Sequence, residues 1–312
     1  MRILLKQMLK PRNPPRRGAK VPINGRYNIL PLFSCERLRG TMSELEVHSI
    51  GSGSSGNAML LKTPSSSLLI DAGVGIRKLT EALKSRRVNG GSLQGILLTH
   101  EHSDHIRSVP SLMRKWNIPV IANCGTLHAV SEKWELQRTV EMPTGSEQKI
   151  GDFLVRSFSL SHDAADPVGY LIHIHDQCIV YATDTGIVSE ALREACNEAK
   201  LCILESNHDT DWLWRGPYPY EMKKRISSDK GHLSNAQTAD LIIRRLEENG
   251  PACFWLAHLS AVNNSPSLAR KQVSNAISMA TKVSFHLDVA LRDRPSLLWS
   301  PNKTSFQLRM NI

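Results

Sequence analysis

A chain of 312 residues with a net charge of +10 is long enough for one domain of about 250 residues plus appendages. No apolar run approaches the roughly 18–20 residues that span a bilayer, so the sequence reads as a soluble protein with no membrane partner. The charge is uneven: residues 1–41 hold ten Lys or Arg against one acid, Glu36, and everything from Met42 onward nets only +1, which removes whole-chain basicity as an argument for binding nucleic acid.

Residues 1–41 form a Pro/Arg-rich leader without helical or strand periodicity. It reads as a disordered basic arm, a transit peptide lacking its amphipathic helix, or an over-extended start preceding Met42. From residue 42 the pattern is a hairpin, 45–50 and 58–61, around Gly51-Ser52-Gly53-Ser54-Ser55-Gly56-Asn57. A strand at 67–70 follows, then a helix near 76–83, a buried strand at 95–98 and a helix over 106–116. A strand at 119–122 and a helix at 126–132 lead to a strand-rich stretch, 140–180. Next come strands 179–182, 201–204 and 253–257 alternating with helices 188–199, 219–226 and 235–248, then a helix at 267–280 and a strand at 283–287. The domain is expected to occupy 42–290, with 291–312 a polar tail. Cys35, Cys124, Cys178, Cys196, Cys202 and Cys253 lack paired spacing, which favours reduced thiols in a cytosolic compartment.

The densest chemistry is Thr99-His100-Glu101-His102-Ser103-Asp104-His105, directly after the buried strand. His100 and His102 alternate by two, so an extended segment aims both imidazoles one way, while Asp104 and His105 open the next helix and point elsewhere. Imidazole and carboxylate without thiolate suit zinc, manganese or iron. Asp71, His162, Asp184, Asn207 and His258 likewise follow apolar strands, the place where ligands sit in layered α/β folds.

This ordered set resembles the metallo-β-lactamase superfamily. The segments 51–57, Ser161-His162-Asp163, Glu205-Ser206-Asn207-His208-Asp209, Gly231-His232-Leu233-Ser234 and His258-Leu259-Ser260 are similar to its YycJ/WalJ branch. The resemblance implies a four-layer αββα sandwich and a metal-dependent hydrolase, specifically a phosphodiesterase acting as a 5′→3′ DNA exonuclease on a nucleic acid with a 5′ end. Two divalent ions, zinc or manganese, are implied. His100, His102 and His162 would hold one, Asp104, His105 and His258 the other, and Asp184 would bridge them, with a shared hydroxide attacking phosphorus in line. Asp71 is expected to orient a ligand histidine through its other ring nitrogen.

His232 is expected to give a proton or hold phosphate, its proton loosened by the positive end of a helix. Ser54, Ser55, Asn57, Asn207 and Asn263 are candidate substrate contacts. The aromatic and basic stretch with Trp212, Trp214, Tyr218 and Tyr220 beside Arg215, Lys223, Lys224 and Arg225 has two readings: stacking of single-stranded bases, or packing of an inserted segment over the sandwich. RNA cleavage, and thioester or β-lactam hydrolysis, are the competing activities on this fold. No stable protein partner is inferable.

Overall fold

The computed structural model describes residues 45–301 and the backbone of 303–307. The leader 1–41 lies outside the described residues. Two sheets dominate. The first contains β1 (Glu46–Gly51), β2 (Ala58–Lys62), β3 (Ser67–Ile70), β4 (Leu93–Leu97), β5 (Val120–Ala122) and β6 (Thr139–Glu141). The second contains β7 (Glu147–Ile150), β8 (Phe153–Ser159), β9 (Val168–Ile174), β10 (Gln177–Ala182), β11 (Leu201–Glu205), β12 (Ala252–Ala257) and β13 (Phe285–Val289).

The segment read from sequence as a tail contributes β14 (Leu297–Ser300) and β15 (Lys303–Gln307), which extend the first sheet, with Val47 paired to Trp299. Its alternation is short and interrupted by Pro301, which hid it from a periodicity argument. The strand orders are β15-β14-β1-β2-β3-β4-β5-β6 and β13-β12-β11-β10-β9-β8-β7.

The central strands of each sheet are buried on both faces, so alternate residues serve different layers. On β2, Met59 and Leu61 face the other sheet, whereas Ala58 and Leu60 face helices. On β10, Ile179 and Tyr181 pack between the sheets, and Cys178, Val180 and Ala182 pack outward. The first sheet is covered by α1 (Ile76–Ser85), α3 (Val109–Trp116) and α4 (Cys124–Ser131), with the short α2 (Ser103–Ile106) preceding α3. The second is covered by α5 (Glu190–Glu198), α8 (Asn235–Asn249) and α9 (Pro266–Ala280), the last through Ala269, Val273 and Ile277 at helical spacing. Two short helices, α6 (Thr210–Arg215) and α7 (Tyr220–Ile226), precede α8. The result is the expected αββα sandwich.

The helix expected over 106–116 is broken. Ser108 donates its backbone N–H to the Ala72 carbonyl and its hydroxyl to Val74, so the chain is pinned to the strand-end loop before α3 begins.

Burial disfavours the charged form of His48 and His208, two histidines outside the expected ligand set. Burial, only partly offset by the Glu46 carboxylate, holds His48 down at about 4, and burial only partly offset by Glu205 does the same to His208. The unfolded chain takes up these protons near pH 6.5 and the folded chain only near 4. Stability is therefore full above pH 6.5 and falls as pH drops through that window, by about 1.4 kcal/mol per pH unit per histidine. Urea unfolding of His48→Gln between pH 6.5 and 5 is expected to show a shallower loss than the parent. Identical slopes would refute the assignment.

Candidate active site

The strands β8, β10, β11 and β12 run in one direction, because β9 is antiparallel to both β8 and β10 while β10, β11 and β12 are mutually parallel. Their C-terminal ends therefore deliver His162, Asp184, Glu205 and His258 to one edge. In the other sheet, β3 and β4 are parallel and deliver Asp71 and the run from His100 to His105. Three of these residues, Asp71 (φ 58°), Asp184 (φ 63°) and His258 (φ 52°), are left-handed, a turn that lifts the side chain sharply off the strand end. Gly73 permits close approach of the two loops: a Cβ there would lie 1.5 Å from the Asp104 carbonyl oxygen.

Five of the rings, those of His100, His105, His162, His232 and His258, have one nitrogen fixed from behind. The Asp71 carboxylate accepts from His105 Nδ1–H at 2.8 Å and from the backbone N–H of Thr99 at 3.0 Å. The Thr99 hydroxyl also lies 3.1 Å from Asp71 and has one proton, which belongs on the carboxylate. It therefore accepts from His100 Nδ1–H at 3.0 Å. His162 Nδ1–H donates to the Gly231 carbonyl at 3.1 Å.

Glu205 Oε1 accepts from both His232 Nδ1 (2.8 Å) and His258 Nδ1 (2.9 Å), while its Oε2 accepts from the backbone N–H of Thr185 and Leu233. These bonds leave the Nε2 lone pairs of His100, His162 and His258 free for other partners, while His105 Nε2 lies 3.0 Å from the Asn57 side-chain amide. Such backing of a histidine by a carboxylate or carbonyl is how metal-holding imidazoles are oriented.

Donor atoms no more than 4.8 Å apart form four overlapping groups: His100 with His102 and His162, Asp104 with His105 and His258, His100 with His105 and Asp184, and Asp184 with Glu205, His232 and His258; the first two are the sets expected to hold the ions. Asp184 lies between them, Oδ2 3.3 Å from His105 Nε2 and Oδ1 3.8 Å from His162 Nε2 and 3.3 Å from His258 Nδ1. His100 Nε2, His258 Nε2 and Asp184 Oδ2 are buried and make no hydrogen bond. Buried polar atoms left so are costly unless a cation takes them. Imidazole and carboxylate donors in this arrangement fit two divalent ions.

Electrostatics follow the same pattern. Burial opposes protonation of His105, but the Asp71 and Asp184 carboxylates outweigh it and hold its pKa well above the ordinary imidazole value. Burial likewise opposes ionisation of Glu205, yet His232 and His258 bring it down to about 2. His232 in turn is raised, because Glu205 outweighs its burial. This runs against the expectation from the helix dipole: His232 stands two residues before Ser234, which caps α8, and beside the ionised Glu205 carboxylate, which favours the charged ring.

The expected substrate contacts divide. Ser54 and Ser55 are exposed in the β1–β2 loop. Asn57 is fully buried, accepting from Gly53 N–H and donating to His105 Nε2 at 3.0 Å. Asn207 is buried and donates to the His258 carbonyl, and Asn263 is wholly enclosed. Burial puts these three in the walls of the site, where they shape the histidine loops. Glu205 was not singled out from the sequence. The available signal was a charged residue closing the apolar run Leu201–Leu204, two positions before the Asn207 that was chosen.

A family described as the Beta-lactamase superfamily domain matches residues 67–258. The chain belongs to the β-lactamase superfamily. Among its relatives, exodeoxyribonuclease YycJ of Bacillus anthracis is 39% identical over 232 residues, 73% of this chain and 87% of that protein. Exodeoxyribonuclease WalJ of Streptococcus pneumoniae (strain D39) is 37% identical over 236 residues, covering 74% and 87%. The crystal structure of the metallo-β-lactamase fold protein YhfI from Bacillus subtilis superposes with a TM-score of 0.64 at 18% identity, over 82% of this chain and 99% of that one, a likeness of fold. As a member of this superfamily the chain is a metal-dependent hydrolase.

Proposed function

We propose that this hydrolase is a dinuclear phosphodiesterase that degrades DNA from its 5′ end. The observation that carries the reading is the convergence of histidine and carboxylate donors on Asp184, with the His232 ring beside them, Nδ1 3.8 Å from Asp184. The relatives named exodeoxyribonucleases support DNA as the substrate. His100, His102 and His162 would hold one ion, and Asp104, His105 and His258 the other, with Asp184 between them. Zinc or manganese suits the donor set. Two such ions, when bound, would lower the pKa of water to about 7 and neutralise charge on the phosphoryl oxygens.

The chain's own residues do the rest. Asp71 orients His105 directly and His100 through Thr99. Glu205 accepts from His232 Nδ1 and raises the proton affinity of the ring, which would favour its giving a proton to the leaving oxygen through Nε2. Ser54 and Ser55, at the exposed loop tip, would meet a terminal phosphate.

A cytoplasmic location is part of the proposal. Cys124, Cys178, Cys196, Cys202 and Cys253 are free thiols, and among the described residues no helix is long and apolar enough to cross a membrane. The residues assigned to the chemistry all lie within 42–290, and the leader 1–41 would be dispensable for the activity.

The test is turnover of bis-p-nitrophenyl phosphate beside a thioester and a chromogenic cephalosporin. End-labelled DNA carrying 5′-phosphate or 5′-hydroxyl is then offered with Mn²⁺ or Zn²⁺. Diester cleavage with mononucleotides released from the 5′ end is the expected result. Thioester or cephalosporin turnover with an inert phosphodiester overturns the reading, and preference for RNA overturns its DNA part.

A further inference from the structure

Between β11 and His232 the chain inserts residues 206–231, a loop carrying α6 and α7. Its two ends are tied at the site, since Glu205 and His232 are joined by a 2.8 Å hydrogen bond. Asp209 N–H donates to the Asn263 carbonyl and Arg225 pairs with Asp163, the neighbour of His162, at 2.6 Å, so the insert is anchored to the site's own loops along its length. Packing does not explain its composition. Only Leu213 of α6 is buried, and α7 buries no residue at all. Trp212 is 46% exposed, Trp214 41% and Tyr220 63%.

These exposed rings are clustered and accompanied by cations. Trp214 and Tyr220 stand 6.0 Å apart between centroids, tilted at 51°, and Lys224 Nζ lies 5.6 Å from the Tyr220 ring. Arg215 and Lys223 sit on the same two helices. Aromatic faces interleaved with Lys and Arg match a polymer that offers unpaired bases and a phosphate backbone. A duplex keeps its base faces stacked on one another and does not offer them to such rings. We propose that the α6–α7 insert is a platform for single-stranded DNA, stacking bases on Trp214 and Tyr220 and leading the strand into the donor-lined site. The proposal rests on the phosphodiesterase reading for its orientation toward the site. It is tested by binding, which needs no turnover.

The experiment measures fluorescence anisotropy of a labelled phosphorothioate oligothymidylate of about sixteen nucleotides, titrated with the full chain. Trp214→Ala and Tyr220→Ala are each expected to weaken binding about 10-fold, the lower part of what loss of one stacked base costs. Trp214→Phe and Tyr220→Phe, which keep an aromatic face, should retain most of the affinity, and both alanine variants should melt at the parental temperature. A duplex of equal length should bind more weakly and respond less to the substitutions. Parental affinity in both alanine variants, or no oligothymidylate binding by the parent, overturns the platform. Absence of diester hydrolysis with binding intact instead overturns the phosphodiesterase reading and leaves the platform standing.

Discussion

Glu205→Gln is expected to lower phosphodiester turnover by about 100-fold and to reduce the metal retained per chain, although it alters no donor atom assigned to an ion. The reason lies in proton bookkeeping at one buried carboxylate. Glu205 receives four N–H groups: Nδ1–H of His232 and of His258 on one oxygen, and two backbone amides on the other. A carboxamide can present an oxygen to only one pair. If its oxygen stays with Thr185 and Leu233, its NH₂ faces two ring N–H groups, and a ring escapes the clash only by moving its proton to Nε2. For His258 that removes the lone pair needed inside the site, and for His232 the charge that raises its proton affinity is gone. The check is kcat on bis-p-nitrophenyl phosphate together with metal analysis of the purified variant. Parental values in both would show that Glu205 does not orient these rings.

Asp184→Asn should be the more severe change, with activity reduced by about three orders of magnitude, since the carboxylate proposed to lie between two ions would become neutral. Its oxygens lie within 3.8 Å of nitrogens on His105, His162, His232 and His258. The substitution is a clean chemical probe because asparagine tolerates the left-handed backbone that Asp184 adopts at φ 63°. The loop should therefore keep its course while the charge disappears. Metal content below that of the parent is expected, with circular dichroism unchanged. More than a tenth of parental activity would be incompatible with a central role for this carboxylate.

The sequence was most legible where a short-range rule carried the information. Period-two alternation exposed the strands, and a polar residue following an apolar run marked Asp71, His100, Asp184 and His258 as site residues. It was least legible where a residue's role depends on what lies across the fold. Asn57 looked like a loop residue open to substrate, and only the approach of Asp104 and His105 buries it. His232 looked like a histidine at a helix start, and its proton affinity is instead set by Glu205, 27 positions earlier. The strand Leu297–Ser300 became recognisable only once β1 offered it an edge.

The donor groups hang from both halves of the sandwich. His100, His102, Asp104 and His105 follow a strand of the first sheet, whereas His162, Asp184 and His258 follow strands of the second. Each proposed ion would thus act as a rivet between the two sheets, and part of the free energy holding them face to face would come from the cellular supply of metal. Starved of it, such a protein would lose resistance to proteolysis as well as activity, so its abundance would follow the metal status of the cell.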